Sequence, residues 1–192
     1  AATNFKDLLN RRVLVEDVRP SYYVWQMEVD GGRLVGVAGA VSVESYDQGY
    51  VKKHELTRPI KQKDRVKHIE ALGAHTGPVM LGYYDSENIS QITRIAMREK
   101  GIYENLQLWG VNHSIWGLTD PDLVKEMTKA FGDCSTLYIA DGHHRSAAAS
   151  VLAKKRRKLK NESYSSQYFL GVAIPISQLQ ILAYNRVVRD LN

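Results

Sequence analysis

One five-residue stretch, Asp141-Gly142-His143-His144-Arg145, constrains the fold of this chain more than any other. Ahead of it, Leu137-Tyr138-Ile139-Ala140 is a short apolar run of strand character, and behind it residues 146–153 are Ala-rich and strongly helical. The order predicts a buried strand handed over to a helix through a turn at Gly142. Such a turn aims backbone N–H groups and the positive end of the helix at whatever lies in front. Asp141, His143, His144 and Arg145 add acid/base groups and a fixed cation, a layout suited to phosphate. Each residue also has a plainer reading: Asp141 as a helix cap, Gly142 as a turn residue, the histidines as satisfied side chains at a surface corner. Four such residues around one glycine at one junction favour a site.

Strand and helix patterns alternate along the rest of the chain, which is the signature of a mixed α/β fold. Residues 4–13 read as the end of a helix. Residues 22–29 and 34–43 read as two strands joined at Asp30-Gly31-Gly32. A turn-rich connection over 44–49 follows, then a helix over 64–72 closed by Gly73. Residues 79–84 form a strand and 89–98 a helix. Residues 107–111 and 114–118 resemble a hairpin around Asn112-His113. Thr119-Asp120-Pro121 starts a helix running to about Phe131. Residues 167–174 and 182–188 supply two late strands. The polar segment 161–166 reads as a loop, and no internal repeat breaks the chain, so residues 1–192 are taken as a single α/β domain. Tyr22, Tyr23, Trp25, Trp109 and Trp116 fall in strand-like segments, where packing is their default role.

A chain of 192 residues with 44% hydrophobic content has enough apolar side chains for one core. No stretch approaches a membrane span, residues 1–10 lack the zones of a signal peptide, and the single Cys134 builds no disulfide or thiolate cluster. A cytoplasmic, reducing setting is the expectation. The net charge of +5 is local: six of the 26 basic residues lie within 154–160, and the remainder fall one short of the 21 acidic ones. That run sits where a helix would end, so cations complementing the helix dipole explain it better than a nucleic-acid surface. Nucleic acid remains a secondary partner for a polyanion-binding tail.

Four segments carry a resemblance over nearly the whole chain, in order: Pro20-Ser21-Tyr22-Tyr23-Val24, the stretch from Lys53 to Pro59, the stretch from Leu137 to Ala148, and Tyr184-Asn185-Arg186-Val187-Val188. They resemble the family known as domain of unknown function 1015. Members of that family are longer at both ends and carry an N-terminal Pro-Pro-Tyr-Asp-Val segment, so the chain reads as the central portion of a longer protein. More distantly, the Asp141–Arg145 corner is similar to the Asp-Gly-His-Thr-Arg motif of free serine kinases in the ParB/sulfiredoxin-like superfamily, whose loop grips nucleotide phosphates. His143 stands where sulfiredoxins carry cysteine and ParB proteins glutamate, which argues against cysteine redox chemistry here. His144 replaces the threonine of the kinase motif and leaves the substrate open.

The second chemical stretch is His54-Glu55-Leu56-Thr57-Arg58-Pro59. Pro59 disfavours helix at Arg58, so the stretch is extended or a loop, a place where catalytic groups concentrate. Thr57 and Arg58 are candidates to face a phosphate, while Lys52, Lys53 and Arg65 are read as solvated. A third polar turn, His75-Thr76-Gly77-Pro78, either lines the site or only connects. The kinase resemblance implies that Glu55 is the base acting on a substrate hydroxyl, the plainer alternative being an ion pair with Lys53 or Arg58.

The leading expectation is a nucleotide-binding phosphotransferase acting on a small hydroxyl metabolite, with ATP or ADP as nucleotide. Glu55, His143 and Asp141 are its candidate catalytic residues. Gly142, His143, His144, Arg145, Ser146, Thr57 and Arg58 are its candidate phosphate ligands, and Asp141 or Glu55 would assist a magnesium ion. No Walker-type motif is present. Two alternatives stay open. One is a ParB-like nucleotide-dependent switch or DNA-associated module. The other is a metal-dependent hydrolase recruiting His54, Glu55, Asp141, His143 and His144, which suffers because adjacent histidines do not readily turn both rings onto one ion.

Overall fold

Apolar alternation in the first two strand patterns builds the centre of a sheet. Residues Tyr22–Val29 (β1) and Gly32–Ser42 (β2) pair antiparallel, with the buried side chains of Val24 and Val37 in register. The computed structural model describes residues 1–29, 32–159, 164–181, 183, 185, 187 and 188. Six further strands are Val51–Lys52 (β3), Val79–Tyr83 (β4), Tyr103–Leu108 (β5), Val111–Leu118 (β6), Leu137–Asp141 (β7) and Tyr168–Pro175 (β8). Among the described residues they form one 8-stranded sheet in the order β3-β7-β4-β8-β2-β1-β6-β5. The β3–β7 and β4–β8 pairs are parallel and the others antiparallel, so the sheet is mixed and the α/β class holds.

Helices fill the intervals: Ala2–Asn10 (α1), Val43–Asp47 (α2), Pro59–Leu72 (α3), Glu87–Ala96 (α4), Pro121–Gly132 (α5) and His143–Lys158 (α6). Their ends follow local chemistry. Asp120 Oδ1 accepts the N–H groups of Asp122 and Leu123 at 3.0 Å each, with Pro121 at the first helical position. Gly73 closes α3 at φ +67, a left-handed conformation that glycine adopts without strain. No helix is long and apolar enough to cross a membrane among the described residues.

One core runs through the sheet and helices, with Leu81, Ile89, Met127, Ile139 and Phe169 almost wholly buried. The Ala-rich sequence of α6 lets this helix lie close on two sides. Ala147, Ala149 and Ala153 join the main core, while Ala148 and Leu152 pack on Ile69 and Val66 of α3. Truncating Leu81, which has no exposed surface, to alanine is expected to cost about 2–5 kcal/mol in denaturant unfolding. Leu56→Ala, at a residue 93% exposed, is expected to change stability by under about 0.5 kcal/mol.

Several boundaries differ from the expectation. The stretch 44–49 is not merely turns, because Ser42 Oγ accepts the Ser45 N–H at 3.2 Å and nucleates the short helix α2. Helix α3 starts at Pro59 rather than near residue 64, since the proline that ends the extended stretch also serves as the first helical residue. The β5–β6 turn lies at Trp109-Gly110, not Asn112-His113; both turn residues have positive φ, as a two-residue hairpin loop requires. Trp109 is therefore 96% exposed rather than packed. Strand β7 is less buried than expected: only Ile139 is covered, because the neighbour beyond it, β3, is two residues long. Residues 30 and 31 of the first hairpin, Lys160 of the basic run and 161–163 of the polar loop lie outside the described residues. So do Leu182, Tyr184 and Arg186 of the expected late strand, whose described residues are not in a strand.

Candidate functional site

Strand β7 ends at Asp141, Gly142 takes φ +100, and α6 begins at His143. Only glycine fits here: a methyl group on Gly142 would come within 3.2 Å of the Val79 Cα and 2.9 Å of Arg145 Nε, in a conformation that already strains other residues. Arg145 and Ser146 donate their N–H groups to the Gly142 carbonyl at 2.9 and 3.1 Å. The N–H groups of His143 and His144, ahead of these bonds, make no hydrogen bond among the described residues.

The loop after β3 folds over this corner and is fastened there by the two histidines. His143 Nε2 accepts the His54 N–H at 3.4 Å, and His144 Nε2 accepts the Arg58 N–H at 3.2 Å. An imidazole nitrogen that accepts carries no proton, so neutral His143 carries its proton on Nδ1. That atom faces Glu55 Oε2 at 3.7 Å, within ion-pair reach and loose enough to tighten around a ligand. The His54 and His143 rings meet edge to face at 4.3 Å. His143 is 4% exposed, and burial pushes its imidazole below the ordinary histidine range; His54 adds to the effect, while Glu55 and Asp141 pull against it.

Glu55 and the Asp141–Arg145 corner line one cavity of about 640 Å³. Its remaining wall is the first turn and a half of α3, namely Ile60, Lys61, Asp64 and Arg65. The N-termini of two long helices thus face the same space, and the first helical bond of α3, from Gln62 N–H to the Arg58 carbonyl, leaves earlier N–H groups pointing outward. Arg145 is fixed beside it: its guanidinium bonds Asp141 Oδ2 at 2.5 Å and lies over Gly77, where a methyl group would come within 3.1 Å of Nη1. Arg65 pairs with Asp64 at 3.2 Å, whereas Lys61 has no ion pair among the described residues.

Most of the residues singled out in the sequence therefore converge, with definite exceptions. Ser146 has no exposed surface, and its hydroxyl donates to the His143 carbonyl at 3.1 Å, so it offers the cavity nothing. Thr57 and the Arg58 side chain do not line the cavity; Arg58 contributes its backbone N–H to His144. His75 lies away from it, hydrogen-bonded to the Tyr168 backbone and pushed below the ordinary histidine range chiefly by burial, so the 75–78 turn contributes only Gly77 as a seat for Arg145. Lys61 lies ahead of the helix expected over 64–72 and Arg65 is expected to be solvated, yet both line the cavity from the first turns of a helix that starts at Pro59. The extended residue followed by Pro59 was the available sign of the true helix start.

Elsewhere the basic run behaves as a helix end. Lys154 pairs with Asp47 at 3.0 Å, Lys155 with Glu70 at 2.6 Å, and Arg157 Nε bonds Gln167 at 2.9 Å. Burial alone would raise the Asp47 carboxyl, but hydrogen bonds from Ser150 and Lys154 outweigh it and hold the group below its usual range. No group of three His, Cys, Asp or Glu side chains converges as metal ligands among the described residues, and both histidine Nε2 atoms at the corner already face backbone N–H groups. The hydrolase alternative finds no ligand set here.

Residues 1–192, the length of the chain, match the family described as Protein of unknown function (DUF1015). The chain belongs to the DUF1015 family. No curated protein and no solved structure matches it. For this DUF1015 chain, the histidine latch carries a pH prediction. His143 and His75 bind protons more weakly folded than unfolded, so their contribution is complete above the ordinary value of 6.5 and declines as pH falls below it. Urea midpoints are expected to drop between pH about 7.5 and about 5.5, and His143→Asn combined with His75→Asn is expected to flatten that slope.

Proposed function

We propose that this DUF1015 chain is a nucleotide-binding phosphotransferase that moves a phosphoryl group from ATP or ADP to a small hydroxyl metabolite, similar to the ParB/sulfiredoxin-like free serine kinases. The observation that carries the reading is the shared cavity: two helix N-termini, a fixed arginine and a carboxylate from a separate loop line one space. Helix N-termini and Arg145 suit phosphate oxygens, because oriented N–H dipoles and a cation stabilise charge without reorganising. Glu55 belongs to the loop after β3 and lines the same cavity, with Oε2 3.7 Å from His143 Nδ1.

In the proposed step the acceptor hydroxyl gives its proton to the Glu55 carboxylate as its oxygen attacks the terminal phosphorus. A new P–O bond forms and the bond to the bridging oxygen breaks, leaving the nucleotide shorter by one phosphate. His143 Nδ1–H holds the Glu55 carboxylate at the corner, and Arg145 faces charge building on the transferred group. Asp141, well exposed on the cavity and bonded to Arg145 through Oδ2, keeps an oxygen that would hold a magnesium ion, which is bound by one or two carboxylates together with phosphates. When bound, that ion would screen the phosphate charge.

A nucleotide-dependent switch would use the same corner but has no need of a carboxylate opposite it, and Glu55 therefore favours transfer. Thermal-shift measurements with ATP, ADP, GTP and inorganic phosphate test the binding half. A ligand specific to the folded state at about 100 times its dissociation constant adds about 2.7 kcal/mol, so a clear rise in melting midpoint with an adenine nucleotide is expected. No shift with any of the four would count against the reading.

A further inference from the structure

An antiparallel sheet with one solvated face ordinarily alternates apolar side chains inward with polar ones outward. Strands β8, β2, β1 and β6 depart from that rule. Val24, Val37 and Trp116 point into the core shared with α2, α4, α5 and α6, and the residues between them form the opposite face. There Tyr23 pairs with Ala38, Ala38 with Val172 and Trp25 with Ile115, all half-buried. Tyr103, Leu106 and Leu108 of β5 continue the face to the sheet edge. No residue in register on this face, from β8 across to β5, is Asp, Glu, Lys or Arg.

Ile176 and Leu179 lie over Gly82 at the β4 side. What stays open is an apolar groove of about 560 Å³ walled by Tyr23, Trp25, Tyr103, Ile115, Leu170 and Val172, with Val15 and Asp17 from the segment ahead of β1. The polar atoms of its two largest aromatic side chains are already paired inside the chain: the Tyr23 hydroxyl donates to Asp17 Oδ2, and Trp25 Nε1–H to His113 Nδ1 at 3.1 Å. A dry cover therefore orphans neither. In the turn after Leu108, Trp109 is 96% exposed and held at φ +51, a left-handed conformation that bulky side chains rarely take. At that exposure the indole gains almost no packing within the chain in return.

We propose that this face docks a second copy of the chain, with Trp109 of each copy in the groove of the other. A face without charged side chains meets its own copy without like-charge repulsion, as a twofold contact requires. Ile115 of the groove and Val111 beside the turn are four residues apart on β6, about 13 Å at about 3.3 Å per residue. A twofold axis lying between the two faces and crossing β6 near His113 thus sets each Trp109 against the other groove. β1 is paired over seven residues on either side, so the five strands from β8 to β5, about 4.8 Å apart, cover roughly 600 Å² per copy. Two copies bury roughly 1,200 Å², above the roughly 1,000 Å² of a specific interface. The contact does not depend on the phosphotransferase reading.

Sedimentation of the purified chain across a dilution series tests it. At about 100 μM a dimer is expected, dissociating toward about 1 μM, because interfaces of modest area associate in the micromolar range. Ala38→Arg places a charge in the groove and is expected to leave only monomer. Trp109→Gly is expected to weaken the dimer by about tenfold or more, the scale of an anchoring tryptophan. Glycine accepts the positive φ of that exposed turn, so this variant is expected to stay folded and gives the answer even if Ala38→Arg folds poorly. Leu56→Ala, another exposed apolar residue but outside this face, is expected to dimerise within about twofold of the parent. A parent that stays monomeric at the top of the series, whether its groove then takes up an apolar dye or nothing, would overturn the assignment. So would a dimer unchanged in Ala38→Arg or Trp109→Gly, or a run of ever larger species, which an open head-to-tail contact gives.

Discussion

Glu55→Gln is expected to lower phosphoryl transfer by about 10²–10⁴-fold, the usual contribution of a positioned general base. Nucleotide affinity is expected to stay within about twofold, because the phosphates in this account are held by helix N-termini and Arg145, not by Glu55. Glutamine keeps the size of the side chain and can still meet His143 Nδ1–H through its carbonyl oxygen, so the 54–58 loop remains fastened by His143 and His144. Glu55 is exposed and the glutamine oxygen still faces the buried His143 Nδ1–H, so the melting midpoint should move little. Equal loss of binding and transfer would make Glu55 a binding residue instead.

Arg145→Ala is expected to act on both quantities. Transfer should fall by about 10²–10³-fold, the scale for removing one group aimed at developing charge, and nucleotide binding should weaken with it. Asp141 would be released from its 2.5 Å partner and left as an unbalanced carboxylate beside the phosphates. Arg145→Lys separates charge from shape. Lysine restores a cation but lacks the planar fork that bonds Asp141 while lying over Gly77 and Gly142, so it should recover part of the binding and little of the transfer. Initial rates and titrations on the three proteins check the split. A lysine variant indistinguishable from the parent would mean that only net charge matters at this position.

How much of this was legible in sequence depends on whether the information was local. The corner was readable because strand character, a glycine and an alanine-rich helix follow one another within a dozen residues, each with its own propensity. Glu55 came from resemblance to a kinase loop; no local pattern places it against His143, a contact made by folding the loop after β3 across β7. The histidines were read as candidate ligands, whereas their Nε2 atoms accept backbone N–H groups and fasten a loop, something only tertiary geometry reveals. Ser146 failed for the opposite reason: a polar residue early in a helix looks available, yet this one faces the core and satisfies itself on the preceding turn. The two-residue strand β3 is too short to leave a periodic pattern, so the parallel pairing that sets its loop beside β7 was unreadable. Thr93 sits within a helical pattern, and only the folded structure leaves its buried hydroxyl without a hydrogen-bond partner among the described residues.

The most direct measurement is phosphorus NMR of the purified chain with magnesium, ATP and a panel of small hydroxyl metabolites, run beside Glu55→Gln. The account predicts a new phosphomonoester resonance with at least one acceptor, growing as the γ-phosphate signal declines, and its loss in the variant while ATP line broadening persists. ATP that stays intact and unbroadened with every acceptor, or an identical product signal from Glu55→Gln, would contradict it.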